Sequence, residues 1–355
     1  MASVSLNVGG RSYGGWKTVR VTRALEAISG SFQLGVSERW ENQHQPWPIT
    51  EGDECTVLLG SEKVITGHID SRELGFTATD HTVAVSGRDR TGDLVDSGVQ
   101  LKGWEFSNVS VLDVARKLCS PYGVVVSMQG GLTAPVLQKK ISFDPGDTVA
   151  NALESLCRTA GLLPVSDGSG HLVLSRASTA RCSSDLVEGK NVLSASSKYD
   201  QTNRFHKYLV LGQHQGDDWI NGSSAASVRG SATDSNVRSS RTHVIRPEGN
   251  VTPALANTRA QWEATTRAAR ADTVSVTVAG WTQSNYLLWP INKLVHVEAP
   301  SIGVSGDLLI SQVTYSLDIH SGATTQLELR GPKAFLPAPV IGGENNYWKE
   351  LIKPV

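Results

Sequence analysis

The sequence has no excess of either charge. Its 355 residues include 33 Lys and Arg against 34 Asp and Glu, a formal net charge of −1. Gripping a nucleic-acid backbone requires clustered cations that neutralise phosphates. Tight or specific DNA binding is therefore not expected, although DNA passing a neutral wall is compatible with this balance. Cysteine is scarce: Cys55, Cys119, Cys157 and Cys182 form no CxxC pair and no Cys/His cluster with zinc spacing. They read as small buried hydrophobes in a chain that folds under reducing conditions. No apolar run approaches the roughly 20 residues of a membrane span, so stable membrane insertion is not expected. Met1 to Gly10 lacks a basic segment followed by an apolar one and does not read as a signal peptide.

Catalytic patterns are scarce too. GxxxxGK[ST], GxGxxG and HExxH do not occur, and GxSxG occurs once, at Gly10-Arg11-Ser12-Tyr13-Gly14, in a segment of strands rather than at the strand-to-helix turn that a nucleophile elbow needs. The nine histidines (His44, His68, His81, His171, His206, His214, His243, His296 and His320) are scattered, with no i,i+4 pair on an expected helix. Asp217-Asp218 lacks the ligand spacing of a calcium loop. Asp70, Arg72 and Glu73 read as a strand-end charge cluster. No carboxylate pair stands out for glycosidase chemistry. No catalytic residue, cofactor or metal is expected, and the chain does not read as an enzyme.

What is present is glycine, at 34 residues, between short alternating runs. Residues 1–98 alternate at Val4 to Val8, Lys17 to Thr22, Phe32 to Val36, Cys55 to Leu59, Lys63 to Asp70, Leu74 to Ala78 and His81 to Gly87. Period two broken by Gly and polar turns predicts antiparallel strands. Residues 99–176 change character. Ser110 caps a helix through Leu118 that stops before Pro121, and a second helix begins after Asp147 and ends at Gly161. The pairs Val111 and Val149, Leu118 and Leu156, Cys119 and Cys157, and Gly123 and Gly161 share an offset of 38. This segment reads as a small α/β insert with a weak local repeat.

Residues 177–333 return to strands. The stretch 213–250, rich in Gly, Ser, Asn and Asp, reads as a long surface excursion. Pro253 opens a helix through Ala271 with Trp262 as its largest apolar anchor. Residues 334–355 read as an extended tail. Its aromatic-apolar cluster, Tyr347, Trp348, Leu351 and Ile352, either docks a partner such as a spike or stays unstructured.

The two strand-rich parts align with each other. At an offset of 242, Phe32, Leu34 and Val36 meet Val274, Val276 and Val278, and Trp47-Pro48-Ile49 meets Trp289-Pro290-Ile291. An insertion of two then aligns Ile65 and Ile69 with Leu309 and Val313, and Val83, Val85 and Gly87 with Leu327, Leu329 and Gly331. One reading is the generic likeness of all β proteins; the sharper one is a duplicated β-barrel. The expected class is mainly β with an α/β insert (α+β): two tube-like antiparallel barrels plus a small α/β domain. Such a chain can form a ring, because three copies then present six similar modules.

Several stretches resemble one family. Thr18 to Glu26, Ser31 to Val36, Gly67 to Arg72, Val85 to Asp96, Ala115 to Val124, Gly280 to Thr282 and Leu288-Trp289 are similar to the phage Mu-like tail baseplate hub proteins. That family is related to the amino-terminal part of type VI secretion spike proteins. The resemblance runs from about residue 1 to 335. It implies a homotrimer in the virion, assembled in the host cytoplasm. The ring would join the hexameric tail tube to a trimeric membrane-piercing spike, touch other baseplate proteins, and leave a channel for DNA. Rivals are a hub of a secretion or pyocin-like device and a tail-associated cell-wall hydrolase.

Overall fold

The computed structural model describes residues 3–37, 49–77, 81–137, 140–212, 228–247 and 251–339. The chain opens with seven strands: β1 (Val4–Val8), β2 (Arg11–Tyr13), β3 (Thr18–Ala24), β4 (Ser31–Ser37), β5 (Glu54–Leu59), β6 (Glu62–Phe76) and β7 (His81–Asp89). A one-turn helix, α1 (Gly92–Asp96), leads into the insert. The insert holds β8 (Glu105–Phe106), α2 (Val111–Cys119), β9 (Val126–Met128), β10 (Ile141–Ser142), α3 (Val149–Ala160), β11 (Leu163–Ser166) and β12 (Leu172–Ser175). Strands then resume as β13 (Leu186–Val187), β14 (Val192–Tyr199), β15 (Lys207–Gly212), β16 (Val228–Thr233) and β17 (Thr242–Ile245). Helix α4 (Pro253–Ala271) runs into β18 (Asp272–Ala279), β19 (Leu294–Ala299), β20 (Val304–Asp318) and β21 (Gly322–Arg330).

The insert helices begin where their caps dictate. Ser110 Oγ accepts from the Leu112 N–H at 3.2 Å, and Thr148 Oγ1 from the Asn151 N–H at 3.2 Å. Gly161 ends α3 in the left-handed region at φ 65°, where a side chain would be strained. Each helix buries one face: Val111, Leu118 and Cys119 on α2, and Val149, Leu156 and Cys157 on α3. Together with β9 and β12 they enclose a core separate from the main sheet. The 38-residue offset therefore reflects two helices sharing one apolar centre.

The main sheet contains one strand arrangement twice. In the first set the neighbour order is β3-β4-β7-β6-β5-β1; in the second it is β14-β18-β21-β20-β19-β13. The registers agree. Phe32 faces Gly87 and Leu34 faces Val85; the residues 242 positions later, Val274 with Leu329 and Val276 with Leu327, face each other likewise. Both long strands bulge against the equivalent neighbour, β6 against β7 between Ile69 and Ser71 and β20 against β21 between Ile310 and Gln312. A bulge is a specific departure from the ladder, so finding it in both copies goes beyond the generic likeness of sheets. The sets differ at the last pair: β1 is antiparallel to β5, whereas the two-residue β13 is parallel to β19.

This register corrects the expected alignment. The partner of Ile69 is Ile310, and those of Val83, Val85 and Gly87 are Thr325, Leu327 and Leu329. The two-residue insertion does not exist there. For Val83, Val85 and Gly87 the shift is two, which keeps every side chain on the same face; for Ile69 it is three, and the bulge after Ile310 leaves Val313 buried as well, so alternation alone does not distinguish the two alignments. A second correction concerns Lys63 to Ala78: the two expected strands are one, β6, carried past residue 70 by its bulge.

The pair β3–β20 joins the sets into one continuous sheet. Their inward side chains, including Val21, Phe32, Ile65, Val276, Val313 and Leu327, share one apolar core. Among the described residues no strand pair closes either set on itself.

Residues 228–247 correct the expected excursion. They supply β16 and β17, which flank β15 in a three-stranded sheet against α4. Their composition hides this because the helix packs on small residues. A Cβ at Gly230 would lie 2.1 Å from the Ala256 backbone, so only glycine permits this approach. The packed face of α4 is also small or polar, with Ala256, Ala260, Glu263 and Thr266 buried. Trp262 is not its apolar anchor: it is half-buried, donates to the Leu336 carbonyl at 2.9 Å and stacks under Arg259.

Candidate assembly surface

The junction of the two sets is built from alternation. In β3 the sequence Thr-Val-Arg-Val-Thr-Arg-Ala buries Val19 and Val21 and turns Thr18 and Arg20 outward. Six pairs bind it to the outer half of β20, from Ala24 with Gln312 to Val19 with Leu317. On the face away from the valines, Thr22 and Thr314 hydroxyls meet at 3.2 Å. Trp281 Nε1 donates to the Ser316 carbonyl at 2.9 Å. The Tyr315 hydroxyl, donating to the Trp289 carbonyl, is buried, which pushes its pKa well above the ordinary phenol range.

Trp289 is buried in the shared core, with Pro290 and Ile291 half-buried beside it. Ile49 is buried in the same core, and its carbonyl accepts from Arg72 Nη1 at 2.7 Å. Trp47 and Pro48 lie outside the described residues, as do the tail residues Tyr347, Trp348, Leu351 and Ile352, and Asp217, Asp218, His44 and His214.

Two sheet edges were missed by sequence reasoning. Strand β14 pairs with β18 on one side, and no described strand covers the other. The outer half of β6, Ser71 to Phe76, pairs with β7, and β5 ends its pairing at His68. The apolar side chains on these stretches, Leu74, Phe76, Leu193 and Tyr199, are between 58% and 83% exposed. Alternation continues through both stretches, but it cannot tell an inward face from an exposed one.

The remaining polar groups form structural pairs. Asp70 accepts from Arg88 at 2.7 Å, and Arg72 lies 3.4 Å from Glu51. His171 meets Asp167 at 3.1 Å, and His68 approaches Asp93 at 4.0 Å. His296 lies between Asp307 and Glu298 at 3.0 and 3.7 Å. Hydrogen bonds from Arg181, and then His296, hold the Asp307 carboxyl below the usual carboxylate range. His206 bonds backbone carbonyls, and His243 stacks on Phe205. Among the described residues no group of His, Cys, Asp or Glu could hold a metal ion, and no helix is long and apolar enough to cross a membrane.

This fold occurs in known tail proteins. Three family models match in chain order: the N-terminal domain of the Mu phage baseplate assembly protein GpP-like family over residues 3–89, the second domain of the baseplate hub protein gp44-like family over 91–176, and the fourth domain of the GpP family over 252–338. The chain is 34% identical to baseplate hub protein gp44 of Escherichia phage Mu, over 97% of this chain and 91% of that one. Its fold is similar to the 43 kDa tail protein of prophage MuSo2 from Shewanella oneidensis, with a TM-score of 0.84 and 31% identity over 95% of this chain and 100% of that one. Fold alone, at TM-score 0.55 and 10% identity, links it to the E. coli c3393 protein, a component of the type VI secretion system, over 96% of this chain and 77% of that one. The chain belongs to the baseplate hub protein family of Mu-like phage tails.

Proposed function

We propose that three copies of this hub protein close into a ring whose six strand sets imitate six-fold symmetry. The observation that carries the reading is the duplicated sheet, with the same neighbour order, matching registers and a bulge in the same place. A closed ring of identical chains must use rotation, and a duplicated module lets a three-fold ring meet a six-fold tube. In this reading residues 1–98 and 177–333 form the ring wall, 99–176 lies outside it, and the tail tube docks on one face. The central spike docks on the other face through Tyr347, Trp348, Leu351 and Ile352, and other baseplate proteins bind around the rim. DNA passes through the channel without specific binding, which suits a net charge of only −1. Assembly takes place in the host cytoplasm and the product is a virion component.

The role is mechanical rather than catalytic, in keeping with the relatives, which are named as baseplate and tail proteins. The fold shared with a type VI secretion component favours one second reading, a hub in a secretion or pyocin-like device. Light scattering on the concentrated full chain tests the ring. A three-chain mass is expected, and a strict monomer at every concentration counts against it. A cell-wall hydrolase role predicts clearing on a peptidoglycan zymogram, and none is expected.

A further inference from the structure

We infer that the face of the β16-β15-β17 sheet turned away from α4 docks a short acidic segment of a partner protein, one with aliphatic residues at its centre. Such docking is independent of ring closure. Tyr208 and Val210 of β15 turn inward and are buried against α4 with Ala256 and Ala260. Alternation therefore points Leu209 and Leu211 the other way. The ladders place Ser231 of β16 and Val244 of β17 on either side of Leu209, and Arg229 beside Leu211. Val244 is 52% exposed, and Leu209, Leu211 and Val244 belong to none of the apolar cores of the described chain.

Charge selects the partner. Lys207 and Arg229 stand on this face, Arg246 follows at the next alternating position one residue past β17, and all three are exposed. None of the three makes an ion pair among the described residues, and no described Asp or Glu shares the face. The whole chain carries −1, so this local excess of cations does not follow from composition. An apolar centre with a cationic rim is complementary to aliphatic side chains flanked by carboxylates. Size points the same way. Three strands about 4.8 Å apart and about five residues at 3.3 Å each give a face of roughly 240 Å². A stable interface between folded proteins takes about 800 Å² from each partner, so this face by itself suits a segment rather than a domain. A second copy would set the same three cations against these. No described aromatic side chain stands on the face, so unpaired bases have nothing to stack on.

The probe is a fluorescein-labelled peptide, Asp-Glu-Leu-Ile-Leu-Glu-Asp, followed by polarisation with the full chain. It is expected to bind. Lys207→Glu with Arg229→Glu and Arg246→Glu should weaken binding at least about tenfold, since three ion pairs become three repulsions. The same reversal at Lys63, Lys102 and Lys190, exposed elsewhere, should change it less than about twofold. Serine in place of the three aliphatic residues of the peptide should weaken it at least about fivefold. Val244→Ser, a single change at an exposed position, should weaken it with no change in the unfolding midpoint, which separates docking from folding. No binding at about 1 mM peptide, equal binding of a peptide with Lys for its acids, or indifference to the three reversals overturns the docking site. Tighter binding in Asp217→Ser with Asp218→Ser overturns it by assigning the face to residues 213–227 of the chain itself. Cosedimentation with phosphatidylglycerol vesicles that requires the three cations, in a chain that ignores the peptide, overturns it in favour of a lipid surface.

Discussion

Ser166 donates a 2.7 Å hydrogen bond to the carboxylate of Asp89, 77 residues earlier in the chain. The bond joins the last residue of β11 in the insert to the last residue of β7 in the main sheet. Asp89 also accepts from the Gly30 N–H at 3.0 Å and the Thr66 N–H at 3.2 Å, so one buried carboxylate holds three separate segments. Arg23 adds a bond to the Ser166 carbonyl at 2.9 Å. This joint fastens the insert to the main sheet.

Ser166→Ala should therefore cost about 1–3 kcal/mol at neutral pH, the price of leaving a buried acceptor short of a donor. Burial raises the Asp89 pKa, and the Ser166 hydrogen bond opposes that rise. The folded state thus holds the Asp89 proton more tightly than the unfolded one. Stability from this group is full below the ordinary carboxylate value of about 4 and falls as pH climbs through the raised folded value. Removing Ser166 raises that value further, so the loss should be smaller near pH 4 than near pH 7. Urea midpoints of the two proteins at both pH values check the sign.

The turn following Ser166 sits against β6. Gly168 has φ +80°, and a Cβ there would lie 2.7 Å from the Val64 carbonyl oxygen. Gly189 has a similar φ of +76° with no heavy atom within 4 Å of its Cβ position. Gly189→Ala should cost only the left-handed backbone term, about 1–2 kcal/mol. Gly168→Ala should cost clearly more, because the backbone contact must also open. Equal losses in thermal unfolding would argue against the close seating of the insert.

Tyr315→Phe should destabilise by about 1–3 kcal/mol, since it leaves the buried Trp289 carbonyl without the phenol donor. The shape of the ring is retained, so packing losses are small. The measurement is a denaturant midpoint at constant m value.

The four thiols should resist modification in the folded chain. Burial pushes Cys55, Cys119 and Cys157 up to about 12 and Cys182 up to about 11. The thiolate is the reactive form. At pH 8 an ordinary thiol of pKa about 8.5 is roughly one quarter ionised, so Cys182 should react about two orders of magnitude more slowly. Labelling under native conditions should find Cys182 first, because it is half-buried where the other three are buried.

Local rules were legible in the sequence because they act over a few residues. Alternation marked β1, β3, β4 and β5; Ser110, Asp147 and Gly161 bounded α2 and α3; and the Trp-Pro-Ile triplets with their flanking strands exposed the duplication. Tertiary structure alone decided the rest. The register between the copies depends on which backbones meet, and a slip of two leaves the alternation unchanged. The bulge at Asp70 that keeps β6 whole, and the Gly230 approach to α4, depend on residues distant in sequence. The same is true of the Asp89–Ser166 joint: a carboxylate shows in a sequence as a charge, and only packing turns it into a buried acceptor.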